Sequence, residues 1–180
     1  MKQFQDPNLR EAIYGIYAAT FNATKLSPHF HNGKVTTIMT DVMGIEDVGW
    51  RVVGVTPEAL ALMQQNLFKK VPKTMCRGHI NDRSATVRQL FDGEKPAPIS
   101  EFFDLYLHND RTVLMLNSQN THGKVFPDYI PIDNPDAELF PNGSLMGWKH
   151  RKKEREFLKQ LWEMYQRAQG KPAINPVTNS

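Results

Sequence analysis

The spacing of apolar positions divides the chain into helical and extended segments. "DPNLREAIYGIYAATF" offers Asp6 as an N-cap and Pro7 at the first helical position. Leu9, Ile13, Ile16 and Tyr17 then fall on one stripe, which predicts a short amphipathic helix. "KVTTIMTDVMG" and "GWRVVGV" are β-branched runs on either side of an acidic, glycine-containing stretch, and read as two strands, with a hairpin as one arrangement. "TPEALALMQQNLFKK" returns to helical spacing, with Thr56 as cap, Pro57 in the first turn, and Leu60, Met63 and Leu67 inward. "TMCRGHI" is a third strand and "ATVRQLF" a short helix. "PAPISEFFDLYLHND" reads as a helix capped by Ser100 that buries Phe102 or Phe103, Tyr106 and Leu107, and "TVLMLN" as a core strand. Residues 123–147 are rich in Pro, Asp, Asn and Gly, the composition of a loop that wraps a surface. A last helix, over 148–169, carries Phe157, Leu158, Leu161, Trp162 and Tyr165 as its apolar face, and 171–180 read as a flexible tail. No repeat is evident. The expectation is a single α+β domain over 1–170, a small mainly antiparallel sheet with flanking helices.

Composition changes this picture little. With 40% hydrophobic and 23% charged residues in 180, the chain can pack one ordinary core. A net charge of +3 permits nucleic acid as a partner without demanding it. Cys76 is the only cysteine, so an intrachain disulfide and a multi-cysteine zinc site are both excluded, which favours a reducing compartment. The polar start and the lack of a long apolar run point to a soluble cytoplasmic protein with no membrane partner.

Candidate chemistry concentrates at "MCRGHINDRS". His79 falls at the end of a predicted strand, and imidazole suits a general base near neutral pH. Arg77, two residues earlier, projects to the same strand face and suits a phosphate clamp. The polar segment "NSQNTHGK" after the strand "TVLMLN" supplies Asn117, Asn120, His122 and Lys124. Oxygen ligands from Asn and Asp suit Mg²⁺ or Mn²⁺. Each residue also has a structural reading. His79 suits a hydrogen-bonded strand end, Asn117 and Asn120 suit a turn, Asp82 suits a helix cap, and Cys76 suits the core. His29 and His31 share a chelating spacing with no third ligand nearby, which favours a turn.

The order strand with terminal His, insertion, strand, then Asn resembles the ββα-metal (HNH-type) nucleases over about residues 74–132. "RGH" is similar to the end of the Asp-Arg-Gly-His motif, with Cys76 where Asp is expected. "NSQNTHGKVFPDYIPID" is similar to the ending of certain HNH domains through Asn120, Lys124, Pro127 and Pro131, with Gly-Lys in reversed order. The resemblance implies a metal-dependent endonuclease. In it His79 activates water, Arg77 clamps phosphate, and Asn120, with Asn117 or Asp82, holds one divalent Mg or Mn. Residues 1–73 would then supply substrate recognition or a homodimer contact.

"WKHRKKERE" places Lys149, Arg151, Lys152, Lys153 and Arg155 at the start of the last helix. Lysines there oppose the helix macrodipole, which favours a role in binding over a merely solvated face. With Lys124, they are the expected nucleic-acid contacts, DNA ahead of RNA. The alternative to the endonuclease is thus a non-catalytic nucleic-acid-binding or regulatory protein that uses this helix.

Overall fold

The computed structural model describes residues 6–43, 49–121, 125–134 and 138–170. Helix α1 (Pro7–Leu26) starts as expected, with the Asp6 carboxylate accepting from the Asn8 amide at 2.9 Å. Ile13 and Tyr17 are buried, whereas Ile16 is 44% exposed and lies off the buried stripe. The run expected to form a first strand is instead helix α2 (Asn32–Met43). Val35, Met39 and Met43 recur every four residues and are all buried, a helical period that outweighs β-branched content. The β-branched threonines are accommodated by bonding back one turn: Thr36 Oγ1 donates to the Asn32 carbonyl at 2.7 Å and Thr37 Oγ1 to Gly33 at 3.1 Å.

Strand β1 (Arg51–Val55) leads into α3 (Pro57–Gln65), capped by Thr56. Leu60 and Met63 face inward, but Leu67 is 66% exposed. Leu67 and Phe68 both take left-handed backbone angles (φ 53° and 52°), and this turn buries Phe68 in place of Leu67. Strand β2 (Met75–His79) follows, then α4 (Arg83–Phe91) and α5 (Ile99–Asn109). Phe102, Phe103 and Tyr106 are buried as expected, but Pro98, with no side-chain cap, starts α5, and Ser100 lies inside the helix. Strand β3 (Arg111–Leu116), a short β4 (Ile130–Pro131) and helix α6 (Lys152–Ala168) complete the α+β fold. The expected tail at 171–180 lies outside the described residues.

The four strands are ordered β2-β3-β1-β4. β2 pairs antiparallel with β3, from Met75 opposite Leu116 to His79 opposite Thr112, as the positions of their polar ends predict. β1 runs parallel to β3 and antiparallel to β4. Directly after β3 comes a 3-10 turn (Asn117–Gln119), and the next helix among the described residues is α6, beyond β4, rather than one that follows the β2–β3 pair at once as in a ββα unit.

Two apolar clusters form. One joins the sheet to α3 and α6 through Val52, Val55, Leu60, Met63, Leu114, Leu158 and Leu161. The other unites α1, α2, α4 and α5 around Tyr17, Phe21, Met39, Phe102 and Phe103, with the Tyr17 and Phe102 rings stacked at 4.4 Å. The chain crosses between them at Trp50, at His79 to Arg83, and at Asp110. That crossing is the first of two places where polar chemistry gathers.

Candidate functional site: a polar joint and a basic ridge

At the joint, His79 Nε2 lies 2.8 Å from Asp110 Oδ1. The other carboxylate oxygen of Asp110 accepts the Trp50 amide at 2.9 Å. Trp50 is held on every side. Its carbonyl accepts from Arg77 Nη1 at 2.9 Å and from Thr112 Oγ1 at 3.1 Å. Its ring meets the His79 ring at 4.4 Å, and the Arg83 guanidinium lies 5.0 Å from its centroid. It takes φ 62°, a conformation costly for a bulky residue and kept only where surroundings enforce it. Gly49, just before it, must be glycine, because a Cβ there would collide with the Met43 carbonyl and the Asp110 carboxylate. Beside the joint, Arg83, Thr86, Tyr106, Asn109 and Asp110 line no more than a shallow surface dent. Burial, aided by the Asp110 charge, pushes the Tyr106 phenol up, so it stays protonated.

A carboxylate on Nε2 favours the tautomer with its proton there, which leaves the lone pair on Nδ1. Nδ1 has no hydrogen-bond partner among the described residues. His79 is thus held through one ring nitrogen, with the other left unpartnered among the described residues. The partners expected for it are elsewhere. Arg77 is buried (5% exposed), and its Nη2 donates to the Pro141 carbonyl at 2.6 Å and to Leu145 at 3.1 Å, besides the Nη1 bond to Trp50. Its guanidinium lies 5.0 Å from the Trp148 ring centroid, and burial lowers its pKa to about 10. Arg77 ties loop carbonyls to the sheet through its Nη atoms, and its unpartnered Nε is buried, out of reach of a phosphate at the surface.

Asn117 and Asn120 stand at the wrong end of the ladder. His79 pairs with Thr112, whereas the Asn117 amide donates to the Thr74 carbonyl at the start of β2. Five residues of strand at ~3.3 Å each put roughly 16 Å between them. The Asn120 side chain reaches Cys76, lowering a thiol pKa that burial raises by more. Asp82 caps α4, accepting from the Ser84 amide at 2.8 Å and the Ser84 hydroxyl at 2.9 Å. Asn117, Asn120 and Asp82 thus share no ion site with His79. Among the described residues no three His, Cys, Asp or Glu side chains converge as metal ligands. His122 and Lys124 lie outside the described residues.

Sequence reasoning missed Asp110, Trp50 and Arg83. Asp110 was findable, since an Asp directly before a strand that pairs antiparallel with β2 must fall near His79. It also missed Gln119, whose Oε1 accepts from Thr56 Oγ1 (2.8 Å) and the Leu116 amide (2.9 Å) and whose Nε2 donates to Glu58 (2.9 Å). That amide locks α3 to the end of β3, so the polar segment after β3 serves the fold.

The second place is a ridge of cations. Lys70 and Lys149 oppose each other in a short antiparallel bridge, bracketed by the Val71 amide donating to the Trp148 carbonyl and the His150 amide donating to the Lys69 carbonyl, both at 3.0 Å. This bridge brings "KKVPK" against "KHRKK". Lys69, Lys70, Lys73, Lys149, Lys152, Lys153 and Arg155 are all exposed. Lys152 and Lys153 sit 3.9 and 3.4 Å from Glu156 and Glu138. The others have no carboxylate partner among the described residues. Arg151, expected to contact nucleic acid, is instead committed to the fold. Its Nε pairs with buried Glu154 at 2.7 Å and its Nη2 donates to the Glu138 carbonyl at 2.7 Å. Glu154 also accepts the Arg151 amide at 3.1 Å, which places a carboxylate in the first turn of α6 and offsets the lysines against the macrodipole. The lysines at 69–73 were visible as three in five residues, but nothing in the sequence told of the bridge.

Among known proteins, no family model, no curated protein and no solved structure matches the chain. No helix among the described residues is long and apolar enough to cross a membrane.

Proposed function

We propose that this chain binds nucleic acid through the phosphate backbone, with the ridge of Lys70, Lys73, Lys149, Lys152 and Arg155 as the contact. The bridge between Lys70 and Lys149 carries the reading. Like charges directly opposite each other on paired strands destabilise the pair. An anionic partner lying across them turns that repulsion into attraction. Phosphates along a polynucleotide supply repeated negative charge, and binding of this kind releases counterions. The test is a titration with mixed-sequence DNA at several salt concentrations, wild type against a variant with Lys70, Lys73, Lys149 and Lys152 changed to Gln. Affinity should fall, and the slope of log K against log salt should flatten by about 0.9 per lost duplex contact. An unchanged slope would leave the ridge as solvated surface.

A second reading, a phosphodiester hydrolase with His79 as general base and Mg or Mn as cofactor, is favoured by the Asp110-held ring alone. Its metal would need ligands other than Asn117 and Asn120. Its test is nicking of plasmid DNA with and without EDTA, and loss of roughly 10²-fold or more in rate in His79→Ala.

A further inference from the structure

The cationic flank of α6 continues into an aromatic one. Arg155, Lys159 and Trp162 stand at i, i+4 and i+7, so one side of the helix presents two exposed cations and then an indole. Trp162 is half-buried, packed in part against the core, and Tyr165 one turn on lies 6.2 Å away with the rings tilted by 36°. Neither Trp162 Nε1 nor the Tyr165 hydroxyl has a hydrogen-bond partner among the described residues, and neither is among the buried atoms left without one. Both rings therefore turn their polar ends to solvent. The indole contrasts with Trp148, whose Nε1 is buried and whose face is taken by Arg77.

Resting on the nucleic-acid reading above, we infer that the polynucleotide bound by this helix is single-stranded. Its backbone follows Arg155 and Lys159 while a base stacks against Trp162. A duplex offers phosphates to the cations but keeps its base faces stacked on each other, so the indole would gain nothing from it. A single strand offers both, and the Arg155 to Trp162 span is about 10 Å along the helix axis. Stacking of this sort tolerates any base.

The experiment uses the full chain with an oligothymidylate of about 15 nucleotides, a length that fills an ordinary single-strand site, and a mixed-sequence duplex. Tryptophan fluorescence should be quenched by the oligothymidylate, and most of that change should vanish in Trp162→Phe, which leaves Trp50 and Trp148 as reporters. Trp162→Leu should weaken oligothymidylate binding about tenfold while leaving duplex affinity and its salt slope unchanged, and Trp162→Phe should retain most of the affinity. Equal affinity for both ligands, with quenching indifferent to Trp162, overturns the inference and leaves the ridge reading standing. Binding to neither ligand overturns both. Should Trp162→Leu fold poorly, the fluorescence comparison with Trp162→Phe decides alone.

Discussion

The joint around Trp50 and the ridge around Lys149 are both polar, both built from segments distant in sequence, and opposite in how their charges are met. At the joint most groups answer each other: Asp110 takes His79 and the Trp50 amide, and Arg77 gives its Nη donors to three carbonyls, with its Nε buried and unpartnered. At the ridge the backbone is satisfied by the 70/149 bridge, while the side chains it lines up are of one sign. Internal satisfaction marks groups that hold the fold. On the reading proposed above, the exposed and mostly unpaired charge of the ridge, held in place by backbone bonds, serves a partner. Substitutions at the joint should therefore act on stability, and those at the ridge on binding.

The largest effect is expected at Arg77. Arg77→Ala takes the donor from the part-buried carbonyls of Pro141 and Leu145, leaves the Trp50 carbonyl with Thr112 alone, and empties a buried site. Buried groups so orphaned cost about 1–3 kcal/mol each, so a loss of roughly 3 kcal/mol or more is expected by urea denaturation. Affinity for DNA, measured on the folded protein, should be unchanged. A stable variant with impaired DNA binding would reverse the roles assigned to the two regions.

Next is Asp110→Ala, which removes the acceptor for both the Trp50 amide and His79 and should cost about 2 kcal/mol. Asp110→Asn keeps one acceptor and should cost less. If the two variants melt at the same temperature, the carboxylate is not what clamps Trp50.

These residues also show what was legible in the sequence. The pairing of β2 with β3 could be read because both strands are apolar runs with polar ends, and register follows from that pattern. Helix α2 could not be read correctly. Its Val and Thr content suggests a strand, and only the four-residue recurrence of Val35, Met39 and Met43, diluted by the intervening threonines, says otherwise. His79 was recognisable as a polar residue at a strand end, but the residue that holds it is Asp110, not an Asn after β3. Proximity between the start of β3 and the end of β2 is a matter of antiparallel geometry, whereas the Asn cluster falls at the opposite end by the same geometry. Arg77 misled because alternation gives the face of a side chain and not what loop will cover that face. The loop carbonyls that consume it, at 141 and 145, lie far along a segment with no pattern to place it.

A smaller effect concerns pH and lies beneath the ridge. His150 is buried at the bridge, with Nδ1 2.8 Å from the Phe68 carbonyl and Nε2 without a partner. Burial lowers its pKa, the bond to the Phe68 carbonyl and the Glu154 charge oppose this only in part, and the Arg155 charge adds to it. Below pH about 6.5 the unfolded chain takes up a proton on this histidine while the folded chain still resists it. Stability contributed by neutral His150 is thus full above that pH and declines as pH falls towards the folded value. His150→Asn, whose amide can donate to the same carbonyl, should flatten the acid limb of a melting temperature against pH plot. An identical limb in wild type and variant would assign the acid sensitivity to other groups.

The smallest effect has the most telling sign. Lys149 faces Lys70 across the bridge, and like charges so placed destabilise by a few tenths of a kcal/mol, within the range of about 0.2–1 kcal/mol for opposed pairs. Lys149→Gln removes the repulsion without touching a backbone hydrogen bond, so it should raise stability slightly, by roughly 0.3 kcal/mol. Added salt screens the repulsion in wild type and should narrow the difference, since both lysines are exposed. The same change should weaken DNA binding and remove about one phosphate contact from the salt slope. A gain in stability coupled to a loss in affinity is the mark of a position held against the fold for the sake of a ligand. A salt bridge partner or a purely structural lysine would lose stability on substitution, so a destabilised Lys149→Gln with normal DNA binding would place Lys149 with the joint and remove the ridge's central pair.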